Sequence, residues 1–212
     1  VYLDASTSEV LVENNVAYRC RTGGFHQNFG RLNRIQNNIF ALAKTQQIIR
    51  NEVKKPPSFT FERNIVYWRE GVLFGGSEPG KAMTLDYNLY WNASGAPVTF
   101  AGLSLAEWQA KGHDVHSRVA DPRFENPEEG DFRLKPDSPA LSLGFRPIDL
   151  SRVGPQGPVA QEPKTSLPRA FPEVGPPPPL MIREDFEDLP VGQAPIDADV
   201  YEEADKQATV RV

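Results

Sequence analysis

The sequence predicts an all-β fold, a parallel β-helix whose strands stack turn upon turn and continue into a C-terminal extension. Four short phrases carry an asparagine at spacings of 23, 26 and 24 residues. These phrases are VENNVAY, IQNNIFA, FERNIVY and LDYNLYW, with Asn15, Asn38, Asn64 and Asn88 as the repeated residues. In each phrase an apolar residue lies three positions before the asparagine, and another follows it directly. A repeat of this length with alternating apolar residues is typical of a β-solenoid.

The repeated asparagine predicts a corner between two strands. Equivalent residues of neighbouring turns lie about 4.8 Å apart in such a stack, so the four asparagines would form a ladder. Asparagine suits a corner because it tolerates a left-handed backbone and because its amide can bond to the next turn.

Each turn needs a further strand ahead of its asparagine corner, and the sequence supplies one at a similar distance each time. The candidates are VYLD (1–4), GFHQ (24–27), QIIR (47–50) and VLFG (72–75). Twenty prolines and 16 glycines favour many turns and argue against a helical protein. One short helix is predicted over 104–111, with Ser104 as its N-cap and Glu107 completing a capping box.

The composition divides the chain into three parts. Residues 1–150 hold the repeats and the last turns with their cap, and 39% hydrophobic residues overall is an ordinary globular value. Residues 151–180 read as a proline-rich linker. Residues 181–212 begin a separate segment, which is too short to bury a hydrophobic core by itself. Strand-like runs at both termini lead us to expect a segment of a longer protein.

Charge and cysteine content exclude several classes of protein. Nine acidic residues against three basic ones in 183–212 account for the net charge of −5, so no basic stripe favours nucleic acid. Cys20 is the single cysteine, which rules out an intramolecular disulfide. No stretch approaches 18 apolar residues, so no membrane span is predicted.

Several phrases together resemble a known group of proteins. They are YLDASTSEVLVENNVAY, GGFHQNFGRLNRIQNNIFA, DYNLYW and DPRFENPEEGDFRLKPDSPALSLGF. Over residues 1–150 they resemble the C-terminal half of bacterial secreted right-handed parallel β-helix proteins of the pectate-lyase-like superfamily, which includes β-xylosidases. The resemblance implies a right-handed β-helix, a carbohydrate-active function and a secreted, periplasmic or cell-surface location. The phrase EDFEDLPVGQAP resembles the opening strand of a concanavalin-like (laminin-G-like) β-sandwich, which implies a truncated domain at 181–212.

The resemblance also suggests catalytic positions. In the β-xylosidase group an aspartate in an "LD" strand and an acidic residue one turn later act as nucleophile and acid/base. Asp4 matches the first position, and His26 stands where the second acidic residue would be. A retaining glycosidase needs two carboxyl groups about 5–5.5 Å apart, so the chain departs from that pattern.

Asp4 and His26 are the candidate catalytic residues. They lie 22 residues apart, which is one turn, so we expect them to stack about 5 Å apart on one face. An aspartate beside a histidine holds its tautomer and raises its pKa, which suits a general acid/base. The alternative is a solvated polar face with stacked charges. Residues expected to bind substrate are Gln27, Arg50, Glu52 and Trp68.

Other residues give alternative sites. A second set of residues lies two positions before each ladder asparagine: Glu13, Gln36, Glu62 and Asp86. This second column either contains a pair of catalytic carboxylates or is a solvated acidic surface. Aromatic residues after the ladder (Tyr67, Trp68, Tyr90 and Trp91) either stack on sugars or fill the interior. The HDVH run at 113–116 offers either metal ligands or loop and capping chemistry.

The leading functional hypothesis is a glycoside hydrolase acting on polysaccharide and requiring no cofactor. One alternative is a polysaccharide lyase that removes the proton α to a uronate carboxylate, and Ca²⁺ would then be the expected metal. The other is a non-catalytic carbohydrate-binding or surface module. A likeness of fold by itself does not decide among these reactions.

Overall fold

The computed structural model describes residues 1–51, 57–151 and 153, and these residues form a parallel β-solenoid. Sheet A contains β1 (Tyr2–Leu3), β4 (Phe25–Asn28), β7 (Gln46–Asn51) and β10 (Val72–Gly76). Sheet B contains β2 (Leu11–Glu13), β5 (Asn33–Gln36), β8 (Phe59–Glu62) and β11 (Met83–Asp86). Sheet C contains β3 (Val16–Tyr18), β6 (Ile39–Ala41), β9 (Ile65–Trp68), β12 (Leu89–Asn92) and β13 (Arg118–Val119).

Each turn contributes one strand to each of the three sheets, and all neighbours within a sheet are parallel. The pairing joins equivalent residues of successive repeats, for example Val12 with Ile35 and then Phe61. Every strand predicted ahead of an asparagine corner lies in sheet A. The predicted all-β parallel β-helix is therefore confirmed.

The asparagine ladder is continuous through all four turns. The Asn38 side-chain oxygen accepts from both the backbone N–H and the amide of Asn15, each at 3.0 Å. Asn64 accepts from Asn38 in the same way, at 2.9 Å for both bonds. Asn88 accepts from the backbone N–H of Asn64 at 3.0 Å and from its amide at 3.3 Å. Register is thus fixed by bonds that only equivalent corners can make.

The left-handed backbone at this corner belongs to the residue before the ladder asparagine, which corrects the sequence expectation. The residues with positive φ are Asn14 (59°), Asn37 (52°), Arg63 (52°) and Tyr87 (57°). Turning the chain at that residue leaves the following asparagine free to bond both its backbone and its amide to the next turn. Asn38, Asn64 and Asn88 are consequently buried, at 0%, 1% and 0% exposure.

Aromatic side chains fill the interior of the solenoid. The Phe25 ring lies 5.2 Å from Phe59 and 5.9 Å from Phe61, and Phe40 stacks on Phe61 at 5.6 Å. All four are at most 1% exposed. Aromatic burial of this kind contributes much of the hydrophobic stabilisation of a domain.

A second core covers the outside of sheet C. It is built by the antiparallel hairpin of β14 (Phe124–Asn126) and β15 (Asp131–Leu134), a 3-10 turn at Pro127–Glu129, and α2 (Pro139–Ser142). Phe124 and Phe132 meet at 5.2 Å and pack with Ile39 and Ile65 of the sheet. The phrase DPRFENPEEGDFRLKPDSPAL thus forms a lid on one side of the solenoid.

The C-terminal end of the described stack is capped. Helix α1 (Leu105–Ala110) begins at Ser104 with the predicted capping box, in which the Ser104 side chain accepts from the Glu107 N–H. Its Trp108 packs against Phe74 and Phe100 of the interior. The cap therefore closes the hydrophobic core over the last turn.

Two expected segments fall outside the described residues. The proline-rich linker predicted at 151–180, apart from residues 151 and 153, and the β-sandwich start predicted at 181–212 stay predictions.

We predict that Asn64→Ala lowers the free energy of unfolding by about 2–4 kcal/mol. The change leaves the buried Asn38 N–H and amide, and the carbonyl of Ile35, without their partner. Urea denaturation followed by circular dichroism measures the effect. Asn15→Ala is the matched control, because Asn15 lies at the exposed end of the ladder and should cost about 1 kcal/mol or less. Equal losses in both variants would contradict a cooperative buried ladder.

Candidate functional site

Five polar and aromatic residues form a cluster at the sheet A strands of the first three turns, which we call the sheet A cluster: Tyr2, Asp4, His26, Asn28 and Asn51. Asp4 Oδ1 accepts from the Tyr2 hydroxyl at 2.9 Å and from the Asn28 amide at 3.1 Å. The Tyr2 and His26 rings lie 4.6 Å apart. The hydrogen bonds and ring contact join three successive turns into one surface.

The register of sheet A corrects the expected stacking of Asp4 on His26. Strand β1 pairs with β4 so that Tyr2 lies opposite His26 and Leu3 opposite Gln27. Asp4 is therefore displaced along the sheet and bonds to Asn28 instead. Side chains at every second position of a strand point to the same face, so Tyr2, Asp4, His26 and Asn28 still share one face of sheet A.

Hydrogen bonding sets the charge of Asp4. The Asn28 amide, the Ala5 backbone N–H and the Tyr2 hydroxyl all donate to its carboxylate, which lowers its pKa below 3.8. Donors that bond the charged form stabilise it. Asp4 is thus an ionised carboxylate over the whole neutral range and can serve as a base or nucleophile.

His26 has the opposite pKa shift from the expected one. Burial lowers its pKa below 6.5 and outweighs the attraction of Asp4, which acts to raise it. The Asn51 amide nitrogen lies 3.0 Å from His26 Nε2. Because an amide nitrogen only donates, Nε2 is the acceptor and the neutral ring carries its proton on Nδ1. His26 is therefore a neutral imidazole at neutral pH.

Three residues expected to bind substrate are buried in the structure. Gln27 is 0% exposed, and its amide donates to Ser58 Oγ at 2.8 Å while its oxygen accepts from Asn33 at 2.9 Å. Trp68 is 2% exposed and belongs to the interior core. Both side chains are enclosed in the solenoid and do not reach the surface of the sheet A cluster.

Arg50 is also buried, at 1% exposure. Its guanidinium donates to the carbonyls of Ser77 and Glu78, which fixes the chain after β10, and desolvation lowers its pKa. Its Nε and Nη1 have no hydrogen-bond partner among the described residues. Glu52, the fourth expected substrate-binding residue, lies outside the described residues.

The second predicted column is in register along sheet B. Its carboxylates Glu62 and Asp86 each have a basic partner. Glu62 lies opposite Asp86 on neighbouring strands. Glu62 binds Arg63 at 3.1 Å, and Asp86 Oδ2 lies 2.8 Å from His116 Nδ1. The His116 ring stacks on Tyr87 at 4.5 Å. The pairing with His116 was not foreseen, because the two residues are 30 positions apart.

The HDVH run supports the cap. Asp114 is 0% exposed and accepts from Asn88, Tyr90 and Ser117 at Oδ1 and from Trp108 Nε1 at Oδ2. It thereby ends the asparagine ladder. No group of three or more His, Cys, Asp or Glu suited to a metal ion occurs in the part of the chain that the structure describes.

The cluster contains residues that sequence reasoning missed. Tyr2 and Asn28 lie two positions from Asp4 and His26, so strand alternation could have placed them on the same face. Asn51 is 25 residues after His26, close to the repeat length, and strand β7 brings it to the third turn.

Comparison with known proteins finds no matching family model, curated protein or solved structure. Among the described residues, neither short helix has the length and apolar character needed to cross a membrane.

We predict that the pKa of His26 measured by NMR lies below 6.5. A histidine with a lowered folded pKa contributes stability that is fully present above pH 6.5 and is lost as the pH falls from there through the folded pKa. The free energy of unfolding of the wild type should therefore fall over that range relative to His26→Gln. A midpoint above 6.5, or parallel pH profiles for the two proteins, would contradict the assignment.

Proposed function

We propose that this chain is a carbohydrate-active β-helix protein and that a polysaccharide binds across the sheet A cluster. The observation that carries the proposal is the grouping of an ionised carboxylate, an imidazole, a phenol and two amides on one sheet face. Amide and hydroxyl groups bond sugar hydroxyls, while the carboxylate and imidazole supply proton transfer. The sequence resemblance to carbohydrate-active β-helix proteins supports the same class.

Hydrolysis is the reaction we place first, with Asp4 as base or nucleophile and His26 as proton donor. A glycosidic oxygen must receive a proton as its bond breaks. His26 can donate that proton only as an imidazolium, which forms below its lowered pKa. Asp4 stays ionised down to below pH 3.8. The imidazolium of His26 and the carboxylate of Asp4 therefore coexist only in acidic solution, so we expect the hydrolase to be active at acidic pH.

β-Elimination is the second candidate, and the neutral state of His26 favours it. For this step the Asn51 amide must leave His26 Nε2, and the neutral imidazole then accepts at that nitrogen the proton α to a uronate carboxylate. The electron pair expels the glycosidic oxygen as a double bond forms in the ring. The bond to Asp4 raises the pKa of Tyr2 and keeps its hydroxyl protonated, and by releasing that bond Tyr2 can return a proton to the leaving oxygen. A lyase of this kind would be active above the pKa of His26, at neutral and alkaline pH.

The pH profile and the product separate the two reactions. We predict reducing sugar without ultraviolet absorbance, formed in acidic solution, if the protein is a hydrolase. Unsaturated products that absorb in the ultraviolet at neutral pH would establish the lyase. Asp4→Asn and His26→Gln should each reduce turnover by at least about 100-fold, as expected for loss of an acid/base group.

The matched controls are Asp137→Asn and His116→Gln, which change the same residue types at exposed positions outside the sheet A cluster. Both should retain activity. Binding of glycans with no turnover at any pH would favour the non-catalytic module, and turnover that survives both site variants would refute the assigned site.

A further inference from the structure

A cationic cavity lies at the corner between sheet C and sheet A. It has a volume of about 260 Å³ and is lined by Arg19, Lys44 and Arg69, together with Glu70 and Glu128. Each basic residue comes from a different turn, at the point where the chain has left its sheet C strand. The charged lining residues sum to +1, three basic against two acidic, in a chain whose net charge is −5.

Glu128 holds two of these cations in place. Arg69 Nε donates to Glu128 Oε1 at 2.9 Å, and Arg19 Nη2 donates to the Glu128 backbone carbonyl at 2.6 Å. The Arg19 guanidinium also lies 4.9 Å above the Tyr18 ring. Each guanidinium has five N–H donors, and these bonds use only one of them on each side chain. These bonds to Glu128 restrict both side chains, which reduces the entropy cost of binding a ligand.

Lys44 brings the lining to a formal charge of +1, because Glu70 and Glu128 offset the other two cations. It forms no ion pair within the described residues, whereas both arginines share Glu128. Its ammonium is a compact point charge that suits an anion. Three basic side chains from three turns provide donors for more oxygen atoms than the two of a carboxylate.

We propose that this cavity binds a sulfate or phosphate group. A tetrahedral oxyanion presents three or more acceptor oxygens, which matches three separate cationic donors. The site is built from residues outside the sheet A cluster and does not depend on the reaction proposed above. The anion is either carried on a sugar as an ester or free in solution, and both sources share the same chemistry.

Isothermal titration calorimetry on the full chain tests the proposal with four probes: a sulfated oligosaccharide, its desulfated form, sodium sulfate and inorganic phosphate. We expect Lys44→Gln to weaken binding of a sulfated or phosphate probe by about fivefold or more, and added sodium chloride to weaken it further. The Lys44 side chain is exposed and makes no hydrogen bond or ion pair with the part of the chain that the structure describes, so the variant should fold normally. Lys135→Gln removes an exposed lysine elsewhere and should bind like the wild type.

The probes distinguish the source of the anion. Lys44-dependent binding of the sulfated oligosaccharide, but not of its desulfated form, supports an ester on a glycan. Lys44-dependent binding of inorganic phosphate or sulfate alone supports the free ion. Binding that is unchanged in Lys44→Gln, or no binding of any anion by the wild type, would overturn the proposal whatever the outcome for Asp4 and His26.

Discussion

The amide-to-amide bond between corner asparagines is the interaction on which the rest of the structure depends. Asn38, Asn64 and Asn88 each accept two hydrogen bonds from the asparagine of the turn before, and all three are buried. A shift of register by one residue would separate these partners and leave buried amides unsatisfied, which costs more than a typical hydrogen bond contributes. The same register superimposes the apolar residues of the core and determines which polar side chains share an outer face.

Asp114 terminates the asparagine ladder by accepting the amide of its last residue, Asn88. Its carboxylate collects the Asn88 amide, the Tyr90 hydroxyl, the Ser117 hydroxyl and the Trp108 N–H. Burial raises the pKa of Asp114 while these donors oppose the shift. A buried carboxylate is tolerated because several donors satisfy it at once. The residue that looked like a metal ligand in the sequence is therefore the point where ladder, helix α1 and core meet.

The sheet A cluster shows how a regular stack brings distant residues together. Asp4, His26 and Asn51 come from three turns, and no two of them are closer than 22 positions in the chain. The solenoid places them on neighbouring strands whose spacing is about 4.8 Å. Small differences in register then decide the chemistry, since Asp4 meets Asn28 and Tyr2, while His26 meets Asn51 and the Tyr2 ring.

The sequence by itself determined the parallel β-helix, the asparagine corners and the capped helix at Ser104, because each follows from local periodicity or capping chemistry. It also identified Asp4 and His26 as members of one face. Only the tertiary structure decided that Gln27, Arg50 and Trp68 are buried, because inward and outward positions near a corner depend on how the chain bends there. It likewise decided the lowered pKa of His26 and the pairing of Asp86 with His116, since burial and contacts between turns are not encoded in spacing alone.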